Sequence, residues 1–418
     1  MRLLRKACDK DGLLGSCILM EIKIPAPAER IIEELRANGH EAYIVGGCVR
    51  DMLLGREPGD WDITTSALPQ EVKNIFRRTV DTGILHGTVT VLMGKEGFEV
   101  TTFRVDGEYL DGRHPSSVAF TPSLEEDLKR RDFTINAMAW SRDTGLVDLF
   151  GGEKDLKDGV IRCVGAPMDR FSEDALRILR AIRFSAQLNF VIEEETYRAI
   201  EVIGPNLLKV SKERIQVELT KLLLSAHPEK MSLVYETGIG QYVSTDFWAI
   251  REHFPEMSPD VEAKKHLRWA AFLREMSPET AVAVLRDLKL DNHTIAGVKT
   301  LVRWIGEELL PEKLALRRVI SQIGTEMFDE LLQLKRILLR ENVTEIARLF
   351  QEICRDKDCL SLKELAVSGR DLMEAGVRPG KAVGENLEHL LALVLEDPAC
   401  NQREYLLQHL LKSDIIDG

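Results

Sequence analysis

The chain reads as an α/β domain followed by a longer, mostly helical remainder. Two observations carry this. Short β-branched or apolar runs alternate with helical patterns through the first 150 or so residues, separated by glycine and proline punctuation. Beyond Arg170 the strand signal fades, and helical periodicity dominates to the C-terminus. At 418 residues the chain exceeds one simple core, and composition shifts place soft boundaries near residues 158, 230 and 335.

Taken in order, residues 27–38 are predicted as a helix, with Ile31, Ile32 and Leu35 on one face and Gly39 ending it. Residues 42–45 form a short apolar strand that delivers Gly46-Gly47 at its end. A helix over 49–54 closes at Gly55, and Pro58-Gly59 makes a turn. Residues 60–64 are predicted as a strand whose period of two puts Asp60 and Asp62 on one face. A helix over 69–76 precedes two strands, 86–93 and 97–104, both well alternated. Residues 106–121 hold two glycines and a proline without a clean period and read as a long, functional loop. Residues 123–129 are helical or turn, 136–140 strand or helix, and 145–152 a turn-rich junction.

Composition narrows the function. A formal net charge of −12 argues against a nonspecific nucleic-acid coat, though not against an enzyme with a local basic face. The seven cysteines show no CxxC and no metal-like spacing, so a reducing cytoplasm is the expected compartment. No apolar run approaches the roughly 18 residues needed to span a membrane. Residues 1–19 fit poorly with the rest of the chain and read as an N-terminal extension or an upstream start before Met20.

Two carboxylates on one strand face can chelate a divalent cation, and magnesium favours hard oxygen ligands completed by substrate phosphates. Asp60 and Asp62 supply such a pair, with Glu99 on a neighbouring predicted strand as the candidate third acid. Gly46-Gly47 upstream would let backbone approach phosphates closely. The Gly-Lys-Ser/Thr ending of a Walker A loop is missing. Arg50 suits either a bidentate phosphate contact or a structural pairing with Asp51.

The run Gly46-Gly47-x-Val49-Arg50-Asp51-x-x-Leu54-Gly55, followed by Asp60-x-Asp62-Ile63, resembles the signature of the class II tRNA nucleotidyltransferases. These are the bacterial CCA-adding enzymes and their poly(A) polymerase relatives. The likeness continues through Thr82-Gly83-x-x-His86-Gly87-Thr88, Glu99-Val100-x-Thr102-Phe103-Arg104 and Arg130-Arg131-Asp132-Phe133-Thr134-x-Asn136-Ala137. It extends to Asp148-x-Phe150-Gly151-Gly152 and Glu173-Asp174-Ala175-x-Arg177, is strong over about residues 24–225, and is looser beyond, with Gly369-x-Asp371-Leu372 and Gly376-x-x-Pro379-Gly380.

The resemblance implies an α+β fold: a DNA polymerase beta-like nucleotidyltransferase head with a mixed sheet, followed by a mostly helical neck, body and tail. The corresponding spans are 20–157, 158–230, 231–335 and 336–418, with the tail expected to bind tRNA. It implies that Asp60 and Asp62 bind catalytic Mg2+. It also implies that the segment of Arg130, Arg131 and Asp132 meets the ribose of the incoming nucleotide, with Asn136 among the nucleotide-binding residues, and that residues 148–155 act as a hinge. Glu173, Asp174 and Arg177 would then select the base of CTP or ATP. Asp174 and Arg177, three apart, would share a helix face; an aspartate accepts from the exocyclic amine that cytosine and adenine both carry, and an arginine donates to a ring acceptor.

Arg180 and Arg183 continue the arginine series, either for phosphate contact or as a salt-bridged face. Lys209, Lys212, Arg214 and Lys221 fit either the tRNA backbone or a solvated helix face. The loop holding Asp111, Gly112 and Arg113 resembles the flexible loop of CCA-adding and A-adding members, which argues against a CC-only enzyme. The expected partners are the tRNA acceptor arm, CTP and ATP, with neither DNA nor a membrane. A-adding activity, poly(A) synthesis and a catalytically dead RNA-binding module are the alternatives. His266 is followed by Leu267 rather than aspartate, which argues against a fused His-Asp phosphohydrolase.

Overall fold

The computed structural model describes residues 2–3, 20–21, 24–107 and 118–412. The chain divides into two compact units, Met1–Trp248 and Ala249–Gly418. The spans expected for head and neck both fall in the first.

The first unit is built on a seven-stranded mixed sheet. Its strands are β1 (Ala42–Val45), β2 (Ile63–Thr65), β3 (Thr79–Gly83), β4 (Thr88–Met93), β5 (Glu96–Thr102), β6 (Met138–Ser141) and β7 (Gly145–Asp148), in the spatial order β7-β6-β1-β2-β5-β4-β3. The β2–β5 pair is parallel, whereas the other pairs are antiparallel. The chain enters through α1 (Ala26–Ala37), which buries Ala28, Ile31, Ile32 and Leu35, packs on β1 and stops before Gly39. A short helix, α2 (Gly47–Leu53), follows β1, and α3 (Pro69–Ile75) follows β2. The opposite face of the sheet is closed by α4 (Leu124–Lys129), whose Leu128 joins Tyr43, Val45, Phe103 and Ala139 in one apolar cluster. The Ser123 hydroxyl caps α4 by accepting the Glu126 N–H.

Three expectations need correction. The strand predicted over 60–64 is shorter: it is β2, and Asp60 and Asp62 lie in the segment leading into it. The partner strand explains this, because β1 ends at Val45 and turns at Gly46 into α2, so only the Asp62 carbonyl is paired, by Val45 N–H. The turn-rich junction contains edge strand β7, and the opposite edge, β3, was not anticipated. These edge strands have no fully buried face, and without one no apolar alternation is written into the residues. The loop over 106–121 is strand at its end: Val118–Phe120 pairs antiparallel with Arg104–Asp106.

After the sheet come α5 (Gly152–Asp158), α6 (Pro167–Glu173), α7 (Leu176–Leu188), α8 (Glu194–Ile203) and α9 (Lys212–Leu223). Both carboxylate oxygens of Asp148 accept from the first turn of α5, at Gly152 and Glu153. A Cβ on Gly152 would lie 2.3 Å from the Thr134 carbonyl oxygen, so only glycine fits this joint. Among the described residues of the second unit every regular element is helical, as the periodicity predicts. Its C-terminal helices close on a cluster that includes Leu372, Leu390, Val394 and Leu406. In the same unit His266 shares a hydrogen bond of 2.8 Å with the buried carboxylate of Glu330. Among the described residues no helix is long and apolar enough to cross a membrane.

Candidate active site

The acids sit where the central strands emerge. Ile63 of β2 pairs with Val100 of β5 in parallel register, so the residues before them, Asp62 and Glu99, are neighbours on the same side of the sheet. Asp60, two residues earlier, shares the recess. All three line a cavity of about 660 Å³ with Trp61, Thr90 and Phe98. Asp62 is open to water but walled on most sides. That desolvation raises its carboxyl above the ordinary value; Arg131 pulls it down, and the Glu99 and Asp60 carboxylates push it further up. The recess thus gathers negative charge with one guanidinium in opposition. Among the described residues no three His, Cys, Asp or Glu side chains converge as a ready metal cage. The donors are nevertheless hard oxygens whose mutual repulsion a divalent cation would relieve, so the residues fit magnesium.

Beside the acids, Gly46 adopts φ +80°, and a Cβ there would come within 2.9 Å of Arg131 Nη1. The glycine is needed for that approach. Its own N–H is donated to the Met138 carbonyl and so serves the sheet. Arg131 is held from behind by Asp127, which sequence analysis did not single out. Asp127 is fully buried and also accepts from Arg130 at 2.7 Å and from Thr64 Oγ1 of β2. Burial opposes its charge, yet Arg131 and Arg130 hold its carboxyl below the usual range. The available signal was an acid three and four residues before two arginines on a helix.

Asp132 turns the other way. Its carboxylate accepts from Arg180 at 2.7 Å, from the Phe133 N–H and from the Asn136 amide. Burial alone would raise its carboxyl, but the Arg180 charge and hydrogen bond, helped by Arg177, bring it down to about 2. Arg50 takes the structural partner of the two weighed for it. It grips Asp51 with two nitrogens, donates to Asn136 at 2.7 Å and lies over the Phe184 ring of α7.

Asp174 and Arg177 do not share one helix face, because the helix breaks between α6 and α7. Asp174 is extended at the break, accepts the Leu176 N–H at the start of α7, and binds Arg214 of α9 at 2.7 Å. Arg177 pairs with Glu173 at 2.5 Å and reaches back to the Arg130 carbonyl at 3.2 Å, docking α7 on the sheet-side segment. Arg183 forms a buried pair with Glu218 and stacks on Phe184. With Arg180 on Asp132, each arginine of the series is paired with a carboxylate in this structure.

Of the neck cations, Arg214 therefore belongs beside Asp174, and Lys212 donates to the Val243 carbonyl. Lys209 and Lys221 are exposed. Asp111, Gly112 and Arg113 lie outside the described residues.

Three family models match the chain. Residues 42–162 match the poly A polymerase head domain, and residues 189–250 the probable RNA and SrmB-binding site of polymerase A. Residues 263–410 match the putative tRNA nucleotidyltransferase domain 2. The CCA-adding enzyme of Levilactobacillus brevis is 39% identical over 391 residues, covering 91% of this chain and 96% of that protein. This chain belongs to the CCA-adding enzyme family of tRNA nucleotidyltransferases. A second member, from Ligilactobacillus salivarius, is 39% identical over 394 residues, with 91% and 95% covered. The crystal structure of the Bacillus stearothermophilus CCA-adding enzyme in complex with CTP superposes with a TM-score of 0.82 at 33% identity, covering 93% of this chain and 98% of that one. The family fold, a mixed-sheet nucleotidyltransferase head followed by helical domains, is the fold of this chain.

Proposed function

We propose that this chain adds C, C and A in turn to the 3′ end of tRNA from CTP and ATP, without a nucleic-acid template, releasing pyrophosphate. The observation that carries the reading is the gathering of Asp60, Asp62 and Glu99 in one recess beside Arg131, in a chain of which 91% aligns with a CCA-adding enzyme. The reaction is attack of the terminal ribose hydroxyl on the α-phosphate of the incoming nucleotide. Asp60 and Asp62 would hold magnesium, with Glu99 adjacent; when bound there, the ion supplies Lewis-acid stabilisation of the phosphate charge. Arg131 offers fixed positive charge at the same place. Asp132 and Asn136, locked by Arg180 and Arg50, present a rigid edge for the ribose.

Selection of the base rests on Asp174, with Glu173 and Arg177 around it. Its carboxylate uses two of roughly four acceptor sites, on the Leu176 N–H and on Arg214. It therefore retains capacity for an exocyclic amine without giving up Arg214. UTP and GTP place a carbonyl there and would set acceptor against acceptor. Donation by Arg177 to the base requires exchange of one of its bonds to Glu173 or the nearby carbonyls. Lys209 and Lys221 are the exposed cations assigned to the tRNA backbone.

The test uses three tRNA transcripts, ending at the discriminator base, at C and at CC, each offered CTP, ATP or both with magnesium. Ordered addition of C, C and A supports the reading. Addition of A to the CC-ended transcript alone makes this an A-adding enzyme. Asp60→Ala and Asp62→Ala should abolish extension and leave tRNA binding; full activity in both would refute the metal site.

A further inference from the structure

We propose that Asp127 is a positioning residue for the transfer reaction: buried between α4 and β2, it aims Arg131 at the acidic recess and sets turnover without touching the nucleotide. The inference rests on the function proposed above and deepens it. Each Asp127 oxygen has an assigned task. Oδ1 accepts from Arg130 Nε and Nη2, at 3.0 and 2.7 Å, and from the Arg104 N–H at 3.4 Å. Oδ2 accepts from Arg131 Nη2 at 3.3 Å and from Thr64 Oγ1 at 3.2 Å, the hydroxyl sharing its proton with the Thr101 carbonyl at the same distance. Thr64 is two residues beyond Asp62 on the central strand, so one carboxylate oxygen ties the strand that presents the acids to the guanidinium that faces them.

Arg131 has little freedom to find this place unaided. Its Nη1 occupies the space that a Cβ on residue 46 would take, and its Nε is buried without a hydrogen-bond partner among the described residues. Its charge nevertheless acts on Asp62 at the acidic recess, where it would favour an anionic group. The position of Asp127 in the fold excludes direct contact with that group, since its side chain is fully buried.

A double-mutant cycle on the full chain separates these roles. The wild type, Asp127→Asn, Arg131→Ala and the double variant are compared in ATP addition to a CC-ended tRNA, with kcat and KM for ATP measured separately. Thermal unfolding establishes that each protein is folded. Asp127→Asn should lower kcat roughly ten- to hundred-fold, the effect of losing one charge-assisted hydrogen bond, with a smaller change in KM. In the Arg131→Ala background it should cost less than about threefold, because the residue it acts through is gone. Equal losses in both backgrounds, or an unchanged kcat, would overturn the inference. If Asp127→Asn does not fold, Thr64→Val replaces it in the same cycle: a loss present only with Arg131 intact supports the proposal, and a loss independent of Arg131 refutes it. A wild type that fails to extend the primer sinks the proposed function itself, and this inference with it.

Discussion

Asp132 offers a quantitative check on how the neck is held to the sheet-side segment. Its carboxylate is buried against Arg180 of α7, and its folded-state value is about 2 where an ordinary aspartate has 3.8. A shift of just under two units, at about 1.4 kcal/mol each, is about 2 kcal/mol of stability. The sign follows from the depression. This stabilisation is complete above the unfolded value near 4 and is lost as the pH falls through about 2. Asp132→Asn removes the charge at every pH. It also leaves Arg180, whose side chain is about a third exposed, without its carboxylate; water takes up part of that loss, so the total cost at neutral pH should be about 2–3 kcal/mol. The pH-dependent share is the informative part. The stability difference between wild type and variant should narrow by about 2 kcal/mol between roughly pH 6 and 2. Hydrogen exchange of the α7 amides, corrected for intrinsic rates, reads this opening locally, so unfolding of the second unit does not enter. Other carboxylates titrate in both proteins and cancel in the difference. A difference that stays constant across this range would refute the claim that the Asp132–Arg180 ion pair docks α7.

Other outcomes follow from single contacts. Gly46→Ala places a methyl 2.9 Å from Arg131 Nη1 at φ +80°; it should cost about 1–3 kcal/mol in urea unfolding and lower primer-extension kcat more than KM. Gly152→Ala meets the Thr134 carbonyl at 2.3 Å; because backbone cannot step aside as a side chain can, it should destabilise by about 3 kcal/mol or more and lower the melting temperature. Glu218→Gln, which leaves Arg183 buried beside a neutral partner, should lower stability by about 3 kcal/mol. Replacing both members by apolar residues of similar volume should recover most of that loss.

The periodic signals translated directly into structure. Ile31, Ile32 and Leu35 announced α1, and the apolar run at 42–45 announced β1, because burial of one face writes its period into the residues. The motifs likewise identified the acids, the Arg130–Asp132 segment and the Glu173–Arg177 segment. Partner choice was not legible. Arg50, Arg180, Arg183 and Arg214 look alike in sequence, and each could meet phosphate or carboxylate. The fold decides among them by bringing Asp51, Asp132, Glu218 and Asp174 to them, the last three from 35 to 48 residues away. Asp127 was hidden for the same reason: on a short helix it resembles ordinary acidic decoration of a first turn, and only its burial against β2 reveals the two arginines it restrains. The sequence by itself determined the succession of an α/β part and a helical part, the acidic residues and the family; tertiary structure decided the edge strands and which charge each charge faces. Local spacing specifies which face of an element a residue occupies, whereas an ion pair between elements depends on how those faces meet in space.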